Sequence, residues 1–413
     1  MHLSDMFPKS VGNADSRLLI RRFFGETDLA LANGHEWRRR RKIANPAFHR
    51  SMPIKLFSNL AIKAFEQIDK TEGPLDVNNL MTRVTLDAIG LAGFGYDLNA
   101  IGTPDGEWVD AYVDVTEHLL EFPYIFLPVL ETHLLNFFPK RRAKHEKLTK
   151  LNNLFEEIIK RKRETLTMKP TDTDDGEKDL LTLLIESGRG EDEDSEPLND
   201  SELRDELVIY FFAGHDTTSC TLSAALYYLA ANPAIQKKAR QEALEVLGDE
   251  ARDVVPTADQ LKKLPYLSQV MKETVRMASP VVDLITRKAA EDTELEGMVI
   301  PKDTAITVDI AALHYNDKVW KNPGVFDPER FADGGEYESM ASKYFYLPFG
   351  GGARQCIGMN FSLTEQRVLL TAILRKYELS LPEDSIHKDG LQFNSNLLVL
   401  SSKNVTLEFK PRY

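Results

Sequence analysis

Residues 349–358 read Phe349-Gly350-Gly351-Gly352-Ala353-Arg354-Gln355-Cys356-Ile357-Gly358, and a helical pattern from Asn360 to Lys376 starts directly behind them. Three glycines ahead of the cysteine let backbone approach a flat ligand and permit positive φ. The helix N-terminus just past Cys356 supplies unpaired N–H groups and a positive dipole. Both favour the sulfur anion and predict a lowered thiol pKa. Arg354 is placed to meet a carboxylate on the ligand's rim, and Phe349 to cover the sulfur. An isolated cysteine is ordinarily a small buried hydrophobe. Phe, Gly, Arg, Cys and Gly at these spacings instead favour iron held by a single thiolate.

The rest of the chain bounds what that loop can serve. Its 413 residues, 42% hydrophobic and 28% charged, suffice for one large core or two medium ones and exclude disorder for the bulk. With 51 basic against 64 acidic residues the net charge is −13, which argues against nucleic acid as a partner. Residues 171–200 hold 12 Asp and Glu against Lys178 and Arg189, so a single segment makes the chain acidic. Within it, about 188–198 is expected to be an exposed loop, and residues 1–413 are read as a single domain. Cys220 and Cys356 are too few for a disulfide framework or a four-thiolate metal site. No stretch approaches the roughly 18 apolar residues of a transmembrane segment, and the N-terminus lacks a signal-peptide pattern.

Helical spacing runs through 55–70, 79–93, 141–164 and 178–187. From Asn199, which forms a capping-box pattern with Glu202, a long helix is predicted to run to Asn232-Pro233. Leu203, Leu207, Phe211, Gly214, Thr218, Leu222 and Ala225 line one of its faces. Strand alternation appears at Ile306, Val308 and Ile310 and again at Val405, Leu407 and Phe409. The fold class read from this order is mainly α with small β-sheets.

Within the long helix, Ala213 and Gly214 leave a gap beside Asp216 and Thr217. This acid and hydroxyl can relay protons, because a hydroxyl both accepts and donates. The competing reading has Thr217 bonding the carbonyl one turn back and Asp216 as a surface charge. His215 is expected to face outward, and Cys220 to pack between helices. Trp37 and Arg41 are i,i+4 neighbours able to reach one ligand carboxylate, while the remaining Arg38, Arg39, Arg40 and Lys42 of the same basic run would by default be solvated. Glu273 and Arg276 can pair within one helix.

The string FGGGARQCIG resembles the heme-binding loop of cytochrome P-450 monooxygenases, and the resemblance extends from Phe24-Gly25 to the C-terminal hairpin. It implies heme b (iron protoporphyrin IX) with Cys356 as iron ligand and Phe349 and Gly358 in its loop. Trp37, Arg41, Arg287 and Arg354 would hold the heme propionates. Ala213-Gly214-His215-Asp216-Thr217-Thr218 is similar to the family's oxygen-activation motif, which favours the relay. Pro328-Glu329-Arg330-Phe331 resembles the segment whose arginine joins Glu273 and Arg276 in a buried triad.

The resemblance further implies a monooxygenase acting on a hydrophobic small molecule with O2. Its electrons would come from NADPH through a separate NADPH-cytochrome P-450 reductase, with cytochrome b5 as a second donor, docking on the basic helix at the surface of the endoplasmic reticulum membrane. Substrate contacts are expected near Glu117–Leu135, Phe212–Thr217, Val281–Leu284 and Asn394–Leu397. Trp37 falls early for this family. The chain is therefore expected to lack an anchor, a first helix and two strands, leaving an open sheet edge. The rival readings are a peroxide-driven or isomerising heme-thiolate enzyme and an inactive, truncated relative.

Overall fold

A computed structural model of the chain describes residues 7–9, 15–49, 52–103, 106–168, 178–187, 197–394 and 399–413. Most of the expected acidic loop, 188–196, and the expected contacts at 395–397 lie outside the described residues. Helices dominate, and the long one, Asp200–Ala231, is their axis. Asn199 caps it through the Glu202 amide, and the Glu202 side chain reaches back to the Asn199 amide, as the capping box requires.

Two apolar clusters pack along this axis. Leu203, Leu207 and Phe211 join one with Gly34–His49, Pro139–Met168 and Leu180–Ser187. Leu222, Leu226 and Leu229 join the other with Ile54–Lys70, Val77–Ile89, Pro265–Met277 and Met359–Lys376. The turn holding Ala213 to Thr217 lies between the two clusters. There Ala213 is exposed, and Gly214, Asp216 and Thr217 are half-buried. A single helix thus supplies both cores and, where neither covers it, a face for chemistry.

Sheets are small. Thr406–Pro411 pairs antiparallel with Leu75–Asp76 on one side and Tyr377–Ser380 on the other, with Leu407 opposite Leu75 and Phe409 opposite Leu379. The strand expected through Ile306, Val308 and Ile310 is shorter than its alternation suggested. It pairs only over Ala305–Ile306, with Arg287–Lys288, and the Asp309 carboxylate then accepts from the Ala312 amide and starts the helix Ile310–His314. An N-cap aspartate overrides the period-two pattern. Along the edge expected to be open lie Phe7 to Lys9, with Lys9 bridged to Arg287 and the Lys288 amide donating to the Pro8 carbonyl at 2.9 Å.

Candidate active site at the cysteine loop

The cysteine loop is held at both ends. The Cys356 amide donates to the Phe349 carbonyl at 2.9 Å, closing the loop on itself. Gly350 and Gly352 both sit at φ 66°, in the left-handed region where a side chain would be strained. The amides of Gly358 and Met359, at the start of Met359–Lys376, lie beside the Cys356 sulfur and favour its anion. Cys356 is exposed at the surface of the chain, yet its sulfur lies among dense protein. The expected lowering of its pKa is not found in the chain by itself. Burial pushes the thiol up, and the two amides and Arg41 pull it back only in part. Enclosure outweighs a helix terminus because the anion has lost its water.

A buried framework fixes where this loop lies. Arg276 pairs with Glu273 through two hydrogen bonds, at 2.7 and 2.8 Å, and Arg330 approaches the same carboxylate at 3.3 Å. All three are buried. Arg276 also donates to the carbonyls of His314 and Pro323, both at 2.8 Å. The His314 ring stacks on Tyr346 and its Nε2 accepts from the Leu347 amide at 3.2 Å, two residues before Phe349. The triad read from Glu273, Arg276 and Arg330 therefore forms, and it reaches the cysteine loop through His314.

On the rim, the Arg354 guanidinium lies 4.1 Å from the centre of the Trp37 ring and donates to the Ala32 carbonyl at 2.8 Å. Arg41 donates to the Gln355 carbonyl at 3.1 Å, next to the sulfur. Arg287 donates to the Phe7 carbonyl at 2.8 Å. Lys9, which motif reading missed, stands by Arg354 and Arg287. Burial first, then those two cations, lower its amine to about 8. No spacing signals Lys9, because only folding brings residues so far apart in sequence together. The basic run divides. Arg39 and Arg40, expected to be solvated, turn inward to Glu36, Glu202 and Glu206, while Arg38 and Lys42 stay exposed.

Thr217 bonds the carbonyl one turn back, as the competing reading had it: its hydroxyl donates to the Ala213 carbonyl at 2.9 Å, and its oxygen lone pairs remain to accept. The Asp216 side chain is half-buried, 29% exposed, and the burial it has raises its carboxyl pKa. His215 does not face outward. It is 1% exposed, clamped between Tyr112 and Phe211, because the helix is covered on that side by Glu107–Thr116. The next residue, Thr218, meets Ser362 of the cysteine helix hydroxyl to hydroxyl at 2.9 Å, which joins the helix bearing Thr217 to the helix that begins at the sulfur.

A thiolate loop on a helix start, a cationic rim and a helix-dominated body define a heme-thiolate protein. The sequence matches the family described as Cytochrome P-450 over residues 7–409. It is 30% identical to cytochrome P-450 3A2 of Rattus norvegicus, over 95% of this chain and 78% of that one. It is also 30% identical to cytochrome P-450 4d2 of Drosophila melanogaster, over 93% and 77%. The fold matches a crystal structure of the cytochrome P-450DA heme domain with a TM-score of 0.82 at 27% identity, covering 98% of this chain and 84% of that one. The chain belongs to the cytochrome P-450 family of monooxygenases, whose members hold heme b. Its own residues fit that group: one sulfur beside two helix-start amides, left-handed glycines that keep the loop free of side chains, and four cations, Lys9, Arg41, Arg287 and Arg354, on the rim.

Proposed function

We propose that this chain inserts one oxygen atom of O2 into a hydrophobic small molecule, with electrons from NADPH delivered by a separate reductase. The observation that carries this reading is the junction at Cys356, where an exposed cysteine meets the Gly358 and Met359 amides at a helix start. Bound there, the heme supplies the redox chemistry that divides dioxygen between substrate and water. Cys356 ligates the iron. Trp37, Arg41, Arg287 and Arg354 orient the propionates, and Phe349 and Gly358 shape the loop around the sulfur. On the long helix, Thr217 accepts and passes a proton and Asp216 reloads it. Phe212, Val281, Val282 and Leu284 give the substrate site its apolar character.

The exposed Arg38 and Lys42 suit the docking of an acidic reductase, an attraction that salt would weaken. Association with the endoplasmic reticulum membrane is supported by an apolar surface where Phe126 is 73% and Phe137 78% exposed, beside Phe122 and Leu127. Among the described residues no helix is long and apolar enough to cross a membrane.

The test is incorporation of labelled oxygen into a hydrophobic product by the purified holoenzyme with reductase and NADPH. Label from O2, with product per NADPH falling several-fold in Thr217→Ala, supports the reading. Turnover with peroxide but none with reductase and NADPH, or isomerisation without oxygen uptake, overturns it.

A further inference from the structure

The link between the buried triad and the cysteine loop is a titratable ring. His314 ends the helix Ile310–His314 and is fully buried. A backbone amide only donates, so the Leu347 contact at 3.2 Å requires a lone pair on Nε2, and the proton of the neutral ring sits on Nδ1. Nδ1 completes no hydrogen bond among the described residues. From Leu347 the path to the sulfur is short. The Leu347 carbonyl accepts from the Gly350 amide at 3.0 Å, closing a turn in which Gly350 is left-handed, and the Phe349 carbonyl accepts from the Cys356 amide at 2.9 Å. Three hydrogen bonds thus lead from the imidazole to the cysteine. Tyr346, the residue before Leu347, stacks on the ring at 5.3 Å and 27°, and its hydroxyl donates to the Lys272 carbonyl at 3.0 Å, which fixes the ring's plane.

We propose that His314 is a positioning residue for the sulfur ligand: its neutral ring holds the cysteine loop where Cys356 meets iron as an anion, and a ring protonated on both nitrogens lets the loop go. The proposal rests on Cys356 as the iron ligand and adds what keeps it in place. A second ring proton, taken from solvent, sets an N–H against the Leu347 N–H, so two donors face each other in a site removed from water. Stacking on Tyr346 keeps the ring where it is, and the loop is the part that yields. The charged and titratable groups around the ring are Lys272, Glu273, Arg276 and Arg330, with the phenols of Tyr315 and Tyr346. Glu273 already accepts from both arginines, and burial pushes both phenols up, so neither phenol supplies an anion. Burial first, then the Arg276 charge, hold the ring's pKa down at about 4 from 6.5.

The experiment compares wild type, His314→Gln, His314→Phe and Cys356→Ser as full-length holoenzymes. Gln offers Leu347 an oxygen that does not titrate, and Phe keeps the stack on Tyr346 with no acceptor. The red-shifted Soret band of the reduced, carbon monoxide-bound protein measures the thiolate-ligated share against pH. Nitrogen NMR of labelled histidine in the same state, assigned by the signal missing in His314→Gln, reads the ring directly. In wild type the ratio of released to thiolate-ligated protein should rise about tenfold per unit as pH falls from 6.5 toward 4. His314→Gln should lower that slope by about one proton, and His314→Phe should show a several-fold smaller red-shifted share already at neutral pH. At neutral pH the wild-type ring should carry its proton on Nδ1 alone. If Cys356→Ser keeps the band, the sulfur is not the ligand and the reading beneath the proposal falls. If Cys356→Ser loses the band while His314→Phe keeps the wild-type share and slope, the ligand stands and the part given to His314 is overturned. An unaltered slope in His314→Gln overturns it as well. A wild-type ring protonated at Nε2 but not Nδ1 overturns it too, independently of how the variants fold.

Discussion

Thr218 and Ser362 meet hydroxyl to hydroxyl at 2.9 Å, and the Gln366 amide donates to the same Ser362 oxygen at 2.9 Å. This contact ties the helix carrying the proposed relay to the helix that begins at the cysteine. Ser362→Ala leaves two buried polar groups without that partner and should cost about 1–3 kcal/mol in denaturant unfolding. Adding Thr218→Val removes one of the stranded groups, so the double variant should lose less than the sum of the singles. Additive losses would show that the contact is not energetically coupled.

Glu273 is buried and accepts from both Arg276 and Arg330. Glu273→Ala strands two buried guanidinium groups, at a cost of about 3–5 kcal/mol. Through His314 and Leu347 that loss reaches the cysteine loop, so purified Glu273→Ala protein should contain little heme. Normal heme content would refute the structural role of the triad.

His314 gives the fold an acid limb. Burial, then the Arg276 charge, lowers its pKa from 6.5 to about 4. The unfolded chain takes up its proton near 6.5 and the folded one only near 4, so this contribution to stability is complete above 6.5 and is lost as pH falls through that window. A shift of that size corresponds to roughly 3 kcal/mol. His314→Gln, whose side-chain oxygen can still accept from Leu347, should flatten unfolding free energy against pH between those limits. An unchanged slope would mean another group titrates there.

Arg354 rests on the Trp37 ring at 4.1 Å, which holds its guanidinium in place at the rim. Arg354→Lys keeps the charge and loses the planar stacking. Heme loss to a scavenging apoprotein should quicken roughly tenfold, about 1.4 kcal/mol. An unaltered rate would remove Arg354 from the propionate site.

Much of this architecture was legible because short-range rules govern it. The Asn199–Glu202 capping box, the i,i+3 pair at Glu273 and Arg276 and the glycines before Cys356 all carry their geometry within a few residues. What was not legible depends on partners far away in sequence. Nothing local tells that Tyr112 covers His215, that Glu202 and Glu206 draw Arg39 and Arg40 inward, or that Lys9 meets Arg287 and Arg354. The thiol at Cys356 failed for a related reason: a helix terminus is visible in sequence, whereas the depth of protein behind the sulfur is not. The strand through Val308 gave way to a cap at Asp309, a local signal that alternation masked.

The central claim is that the Cys356 sulfur is the iron ligand, and the most direct measurement is the carbon monoxide difference spectrum of the reduced protein. Wild type should give the red-shifted Soret band of a thiolate-ligated ferrous heme, and Cys356→Ser should lose that band. A Cys356→Ser spectrum identical to wild type would contradict the account.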